Sequence, residues 1–210
     1  MRKLRLSTQI RPYRLEDAEA VLDAVRESLA ELQPWMPWCH PQYSVIDSRS
    51  WLDAQIPAFQ AGTAFEFAIE SADGAYVGGC GLNQIDQINR RANLGYWVRS
   101  TATGQGVATA AVRALRDWAF EATDLVRLEI VVAVGNAASH RVAEKVGAAR
   151  EGTLIRRLVL HGALRDATMF SLTRVGGGSS GFACGSRLER IRMRVSATAL
   201  LRFEGTRPSR

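Results

Sequence analysis

Cysteine is scarce in this chain of 210 residues: Cys39, Cys80 and Cys184 are far apart, odd in number and without a CxxC pair. That spacing excludes a disulfide framework and a zinc knuckle, and it fits a reducing, cytoplasmic setting. The histidines, His40, His140 and His161, are as scattered, so no metal is expected. With 6 Pro and 18 Gly the chain has too little of either for a fibrous protein. No apolar run approaches the ~20 residues that span a bilayer. The start, Met1-Arg2-Lys3-Leu4-Arg5-Leu6, has no signal-peptide apolar stretch. No membrane partner is therefore expected. What remains, 47% hydrophobic and 23% charged residues, is the composition of a globular protein with one core of ordinary size.

The net charge of +6 invites a nucleic-acid reading until it is divided along the chain. Residues 1–174 hold 20 Lys and Arg against 19 Asp and Glu, whereas residues 175–210 hold 7 Arg against Glu189 and Glu204. The body is nearly neutral, and the excess belongs to a tail that opens with Val175-Gly176-Gly177-Gly178-Ser179-Ser180-Gly181, a flexible linker composition. One domain over 1–174 and a poorly ordered appendage over 175–210 are expected. A basic arm touching RNA or an acidic surface is the alternative use of the tail, but nucleic acid is not the favoured partner.

Periodicity predicts a strand near Leu4–Pro12, then a helix from about Glu16 with Val21, Leu22, Val25, Leu29 and Leu32 on one face. An aromatic stretch, Pro34-Trp35-Met36-Pro37-Trp38, precedes a second helix around Ser48–Gln60. Phe65–Ser71 and Tyr76–Leu82 read as a hairpin about Asp73-Gly74, and Asn93–Val98 as a further strand. A glycine turn then opens a helix carrying Ala108, Ala111, Val112, Leu115 and Ala119. Leu125–Val134 is a buried strand, Asn136–Val146 a helix stopped by Gly147, and Glu151–Leu160 with Ala163–Leu172 a closing pair of strands. The order βααβββαβαββ describes a mixed α/β sheet with helices on both faces.

The segment from Trp97 to Thr109 carries the most information. A strand ends, Gly104 and Gly106 turn the backbone, and a helix begins. Free amides at that helix N-terminus suit a phosphate or pyrophosphate. A Walker loop would need Gly-Lys-Ser/Thr, and there is no lysine here. A dinucleotide fingerprint starting at Gly104 would place Thr109 where Gly or Ala is required, and Asp124 precedes the next strand rather than ending it. Hydride transfer is therefore a poor reading.

Thr103-Gly104-Gln105-Gly106-Val107-Ala108 resembles the acyl-CoA signature Q/R-x-x-G-x-G/A of the GNAT superfamily, with Thr103 where Gln or Arg is usual. Asn136 to Gly147, followed by Arg150-Glu151-Gly152, resembles that superfamily's second motif. With Gly95-Tyr96-Trp97-Val98 and the Trp35–Trp38 stretch, the combination is similar to the RimJ/RimL-like N-terminal protein acetyltransferases over about residues 3–174. The resemblance implies a central, mostly antiparallel mixed sheet of about 6–7 strands. It implies acetyl-CoA as co-substrate, with the pyrophosphate on the amides of Gly104 through Ala108. The pantetheine arm would lie near Val98 and bond to Asn136. It also implies direct transfer to a primary amine, foremost a protein N-terminus and in particular one on a ribosomal protein, by a monomer or homodimer. A small-molecule amine acetyltransferase is the rival within the enzyme class, and a non-catalytic CoA- or RNA-binding module the rival outside it.

Transfer needs a neutral amine. At pH 7 an α-amine of pKa ~7.8 is roughly 14% neutral and a lysine amine of ~10.4 about 0.04%, so an α-amine asks little of a base. Related sequences often carry Glu where Asn93 stands here, which leaves Glu66 and Asp86 as the carboxylate candidates, with Glu66 preferred; each has the alternative of a plain surface carboxylate. By resemblance Ser139 supplies a proton to the departing thiolate; as third residue of its helix it could instead serve the helix start. Trp35 and Trp38, beside Met36, are expected to wall the acceptor pocket. Cys80, with no histidine nearby in sequence, reads as a buried strand residue rather than a nucleophile.

Overall fold

The computed structural model describes residues 8–174. The tail from Val175, and the first part of the strand predicted from Leu4, lie outside the described residues. Seven strands form one sheet in the order β1-β2-β3-β4-β5-β7-β6. They are β1 (Thr8–Pro12), β2 (Phe65–Ser71), β3 (Tyr76–Asp86), β4 (Arg91–Val98), β5 (Arg127–Ala133), β6 (Ala149–Leu160) and β7 (Ala163–Thr173). Every neighbouring pair is antiparallel except β4 with β5. The mixed, mostly antiparallel sheet expected from the sequence is the one found.

Helices cover both faces. On one, α4 (Val107–Ala122) and α5 (Ala137–Lys145) bury Val107, Ala111, Val112, Leu115 and Ala143 against Phe67, Leu82, Leu94, Leu128 and Phe170 of the sheet. On the other, α1 (Ala18–Glu27) and α3 (Val45–Ala61) bury Val21, Leu22, Val25 and Leu52 against Ala68 and Tyr76. The α3 start is a reciprocal cap in which Asp47 Oδ2 accepts from Ser44 N at 2.8 Å; its end is Gly62 at φ 72°, the left-handed position that favours glycine. No described helix is long and apolar enough to cross a membrane.

The helix predicted from Glu16 through Leu32 is divided. It stops at Glu27, and the short α2 (Leu29–Leu32) follows Ser28, whose φ of −107° and ψ of 13° leave the helical region. The Ser28 Oγ accepts from Ser100 N at 2.9 Å, so the break serves a contact with a distant turn.

One topological detail builds the site. β4 and β5 pair only at Arg91, Ala92 and Asn93 with Arg127, Leu128 and Glu129. Beyond Asn93, β4 stays with β3 as far as Val98, opposite Gly78, while β5 follows β7 as far as Ala133, opposite Ala167. The two strands diverge, and among the described residues no strand lies beside the edge of β4 from Leu94 to Val98 on the β5 side.

Candidate active site

The glycine turn stands at the mouth of this split. After β4 comes a 3-10 turn, Ser100–Ala102, and α4 begins with Gly106 as its cap. Gly104 sits at φ 72° and Gly106 at φ 88°, and a Cβ on either would meet nothing within 4 Å. Glycine is required there by the backbone angle rather than by crowding, and the first amides of α4 open onto free space.

The turn is tied down from α1 and α2. Glu27 pairs with Arg99 and accepts from Thr101 N at 3.0 Å and Thr101 Oγ1 at 2.8 Å, and Glu31 accepts from Ser100 Oγ at 2.8 Å. The Arg99 hydrogen bond, with those of Thr101, lowers the Glu27 carboxyl to about 2. Thr103 Oγ1 donates to Ser100 O and Gln105 Nε2 to Thr101 O, each at 2.8 Å, so both side chains close the turn on itself.

A groove of about 600 Å³ runs along the split. Val98, Thr103, Gly104, Gly106, Val107, Ala108, Asn136 and Ser139, all expected near a cofactor, lie on its wall; Gln105 does not. Two cations absent from the sequence reading, Arg141 and Lys145, line it too. Their spacing of four puts them on one face of α5 with Ala138 and Val142, a signal that was there to be read. Trp35 lies over the β5–α5 turn, its ring 3.7 Å from where a Cβ on Gly135 would stand.

A second cavity of about 530 Å³ occupies the α1/α3 side of the same strands. Trp38 lines this one, whereas Trp35 lines the groove, so the structure separates the two tryptophans that were expected together. Met36, Tyr96 and Trp97 contribute to both. Glu66 stands in it, opposite Gly81 of β3, which in turn is opposite Gly95 of β4. The carboxylate lies flat across Gly81: a Cβ there would be 1.9 Å from Oε2. Burial pushes the Glu66 carboxyl up to about 7, against a weak opposing bond from Asn83 Nδ2 at 3.4 Å. Asn93 donates to Asn83 Oδ1 at 2.9 Å and so belongs to the same chain of polar groups. Asp86 instead stabilises the β3–β4 turn by accepting from Asn89 N and Nδ2.

At the α5 start Asn136 is the cap, its Oδ1 accepting from Ser139 N at 3.0 Å. The Ser139 hydroxyl is not spent on the helix; it lies 2.8 Å from the phenolic oxygen of Tyr96, which burial pushes up to about 12.

Residues 8–149 match the family model described as acetyltransferase (GNAT) domain. The chain belongs to the GNAT acetyltransferase family. It is 32% identical over 168 residues to YdaF of Bacillus subtilis (strain 168), provisionally named a ribosomal N-acetyltransferase, covering 79% of this chain and 90% of that one. It is 29% identical over 140 residues to the ribosomal-protein-serine acetyltransferase of Escherichia coli (strain K12), covering 67% and 78%. Among solved structures, Mycobacterium smegmatis RimJ in complex with CoA-disulfide superposes with a TM-score of 0.71 at 30% identity, covering 90% of this chain and 89% of that one.

The chain is thus an acyltransferase that uses acetyl-CoA to acetylate an amine. The features a GNAT enzyme needs for its co-substrate fit this structure on its own terms. Open amides precede α4, a strand edge without a neighbour leads away from them, and two cations stand on α5. Cys80, 2% exposed on the wall of the second cavity, has its thiol pushed up by burial, which disfavours the thiolate a covalent acetyl carrier needs.

Proposed function

We propose that this GNAT enzyme acetylates the α-amine of a protein N-terminus, with ribosomal proteins as the first acceptors to test. The observation that carries the reading is Glu66: a carboxylate of pKa about 7 in a cavity that shares Met36, Tyr96 and Trp97 with the groove. A base of that strength matches an α-amine of pKa ~7.8 and is weak against a lysine amine of ~10.4. The names of YdaF and of the E. coli relative point the same way.

In this proposal the amides from Gly104 to Ala108 hold the pyrophosphate, Arg141 and Lys145 add charge, and the pantetheine arm runs past Val98 and Asn136 toward Tyr96. Glu66 takes one proton from the ammonium, the amine nitrogen attacks the thioester carbonyl, and the C–S bond breaks as that nitrogen gives up its second proton to water or to the departing sulfur. The Tyr96–Ser139 pair hydrogen-bonds the departing sulfur. A CoA thiol resembles cysteine at pKa ~8.5 and is a stronger acid than this phenol, so the pair stabilises the thiolate without needing to surrender its proton. Trp38 and Trp97 position the acceptor. Residues 1–174 carry the whole activity, and the tail from 175 is dispensable to it.

The test uses two peptides of one sequence, one with a free N-terminus and no lysine, the other N-terminally blocked with one lysine. Release of CoA thiol is expected with the first at a rate at least a hundredfold above the second. Equal rates, or transfer to the lysine peptide alone, would overturn the reading.

A further inference from the structure

The walls of the second cavity bear on which amine enters it. They are built on a continuous chain of rings: Trp51 to Tyr13 at 4.9 Å between centroids, Tyr13 to Tyr76 at 6.2 Å, and Tyr76 to Trp97 at 6.0 Å. The chain continues from Trp97 to Trp38 and from Trp38 to Tyr43, each at 5.9 Å. Edge-packed rings of this kind are stiff and do not collapse around a small guest.

Several polar atoms in this wall are mated to one another. The Tyr13 and Tyr76 hydroxyls lie 2.8 Å apart, Tyr43 OH accepts from Ser48 Oγ at 3.4 Å, and Asn93, Asn83 and Glu66 form their own chain. A hydroxyl on the acceptor that faced the ring faces rather than Ser50 or the ring N–H groups would lack a partner, and a buried hydroxyl without a partner is costly. An apolar group would instead cover Trp38, which is 41% exposed although it packs on Trp97. Gly95 widens the space further, since a Cβ on it would meet nothing within 4 Å.

We infer that the acceptor cavity selects a primary amine flanked by a bulky apolar group, so that N-terminal Met, Leu or Phe is preferred to Ser or Ala. One carboxylate for the amine and an aromatic wall of about 530 Å³ beside it are the two halves of that recognition. The inference rests on the cavity being the acceptor site, as proposed above, and it departs from the serine in the E. coli relative's name.

The experiment measures kcat/KM on the full-length protein with two series: the amides of Ser, Ala, Met, Leu and Phe, and peptides that differ only in those first residues. The amides remove second and third residues, which could otherwise fill the cavity. Met, Leu and Phe are expected to exceed Ser and Ala by at least tenfold, in line with the burial of one large apolar side chain. Trp38→Ala should shrink the difference to about threefold or less while KM for acetyl-CoA stays unchanged. Preference for Met, Leu and Phe among the peptides sustains the inference. If amides discriminate but peptides are not acetylated, the N-terminal reading fails and the selectivity stands. Peptides acetylated with no preference, or with Ser and Ala ahead, overturn the selectivity and leave the N-terminal reading. Transfer to neither series overturns both.

Discussion

Tyr96 and Ser139, 43 positions apart in sequence, share a hydrogen bond of 2.8 Å between their hydroxyl oxygens, and Tyr96 OH also donates to Ser139 O at 3.1 Å. The pair joins β4 to the first turn of α5 across the split in the sheet. Because the Ser139 amide is capped by Asn136, removing the serine hydroxyl leaves the cap in place. Ser139→Ala is expected to lower kcat by roughly 10–100-fold, the scale of one hydrogen bond to a charged group, with KM for acetyl-CoA and the melting temperature little changed. Tyr96→Phe should cost a similar factor, and the double variant little more than the worse single one, as for groups acting as a unit. Steady-state kinetics on the three variants measures this; full kcat in Ser139→Ala would remove the pair from the chemistry.

Asn136 gives the opposite signature. Asn136→Ala should lose about 1 kcal/mol of stability through the missing cap, read as a lowered denaturation midpoint. A stability equal to the parent's would mean that Oδ1 does not hold the helix start.

Glu66 makes stability depend on pH in a definite direction. Its folded pKa, about 7, is above the ordinary carboxylate value of 4.5. Between those two values the folded state binds more protons than the unfolded one, so stability falls as pH rises through that window and is level above it. Glu66→Gln has nothing to ionise. The stability of the variant relative to the parent should therefore grow from pH 4.5 to pH 7, by on the order of 2–3 kcal/mol. Chemical denaturation of both proteins at several pH values checks this, and a difference independent of pH would show that the carboxyl is not desolvated.

The elements that position the site were legible to different degrees. Phe65–Ser71, the turn at Asp73-Gly74 and α5 follow from alternation, turn residues and a cap, which are local signals. The glycine turn was legible because a left-handed angle leaves a residue type behind. Arg99, Glu27, Ser28 and Glu31 went unread, since a turn anchored by side chains about 70 positions away leaves no local pattern. The role of Gly81 was hidden for a related reason. Its bare Cα matters only because Glu66 of the neighbouring strand lies across it, a contact set by register. Trp35 and Trp38 read as one aromatic cluster, whereas the chain between them passes from one cavity to the other.

Glu27 yields a prediction of its own. Glu27→Gln keeps the shape but removes the charge that holds Arg99 and orients Thr101. KM for acetyl-CoA should rise roughly 3–10-fold with kcat nearly unchanged, as expected when binding common to the ground and transition states is lost. Titration of CoA by calorimetry should show the same factor; unaltered affinity would mean that the turn holds its form unaided.

A cut after Arg174 should preserve both transfer and thermal stability, because Arg174 itself still bonds Val126 O through its amide and Thr123 O through its guanidinium. Loss of folding in the shortened protein would show that residues 175–210 contribute to the body.

The most direct measurement is tandem mass spectrometry of one peptide that carries both a free N-terminus and an internal lysine, after incubation with acetyl-CoA and either the parent protein or Glu66→Gln. A single acetyl group on the α-amine is predicted with the parent, and roughly 5–10-fold less with the variant, since about one α-amine in seven is neutral at pH 7 without a base. Acetyl on the lysine with the N-terminus untouched, or equal α-acetylation by both proteins, would contradict the account.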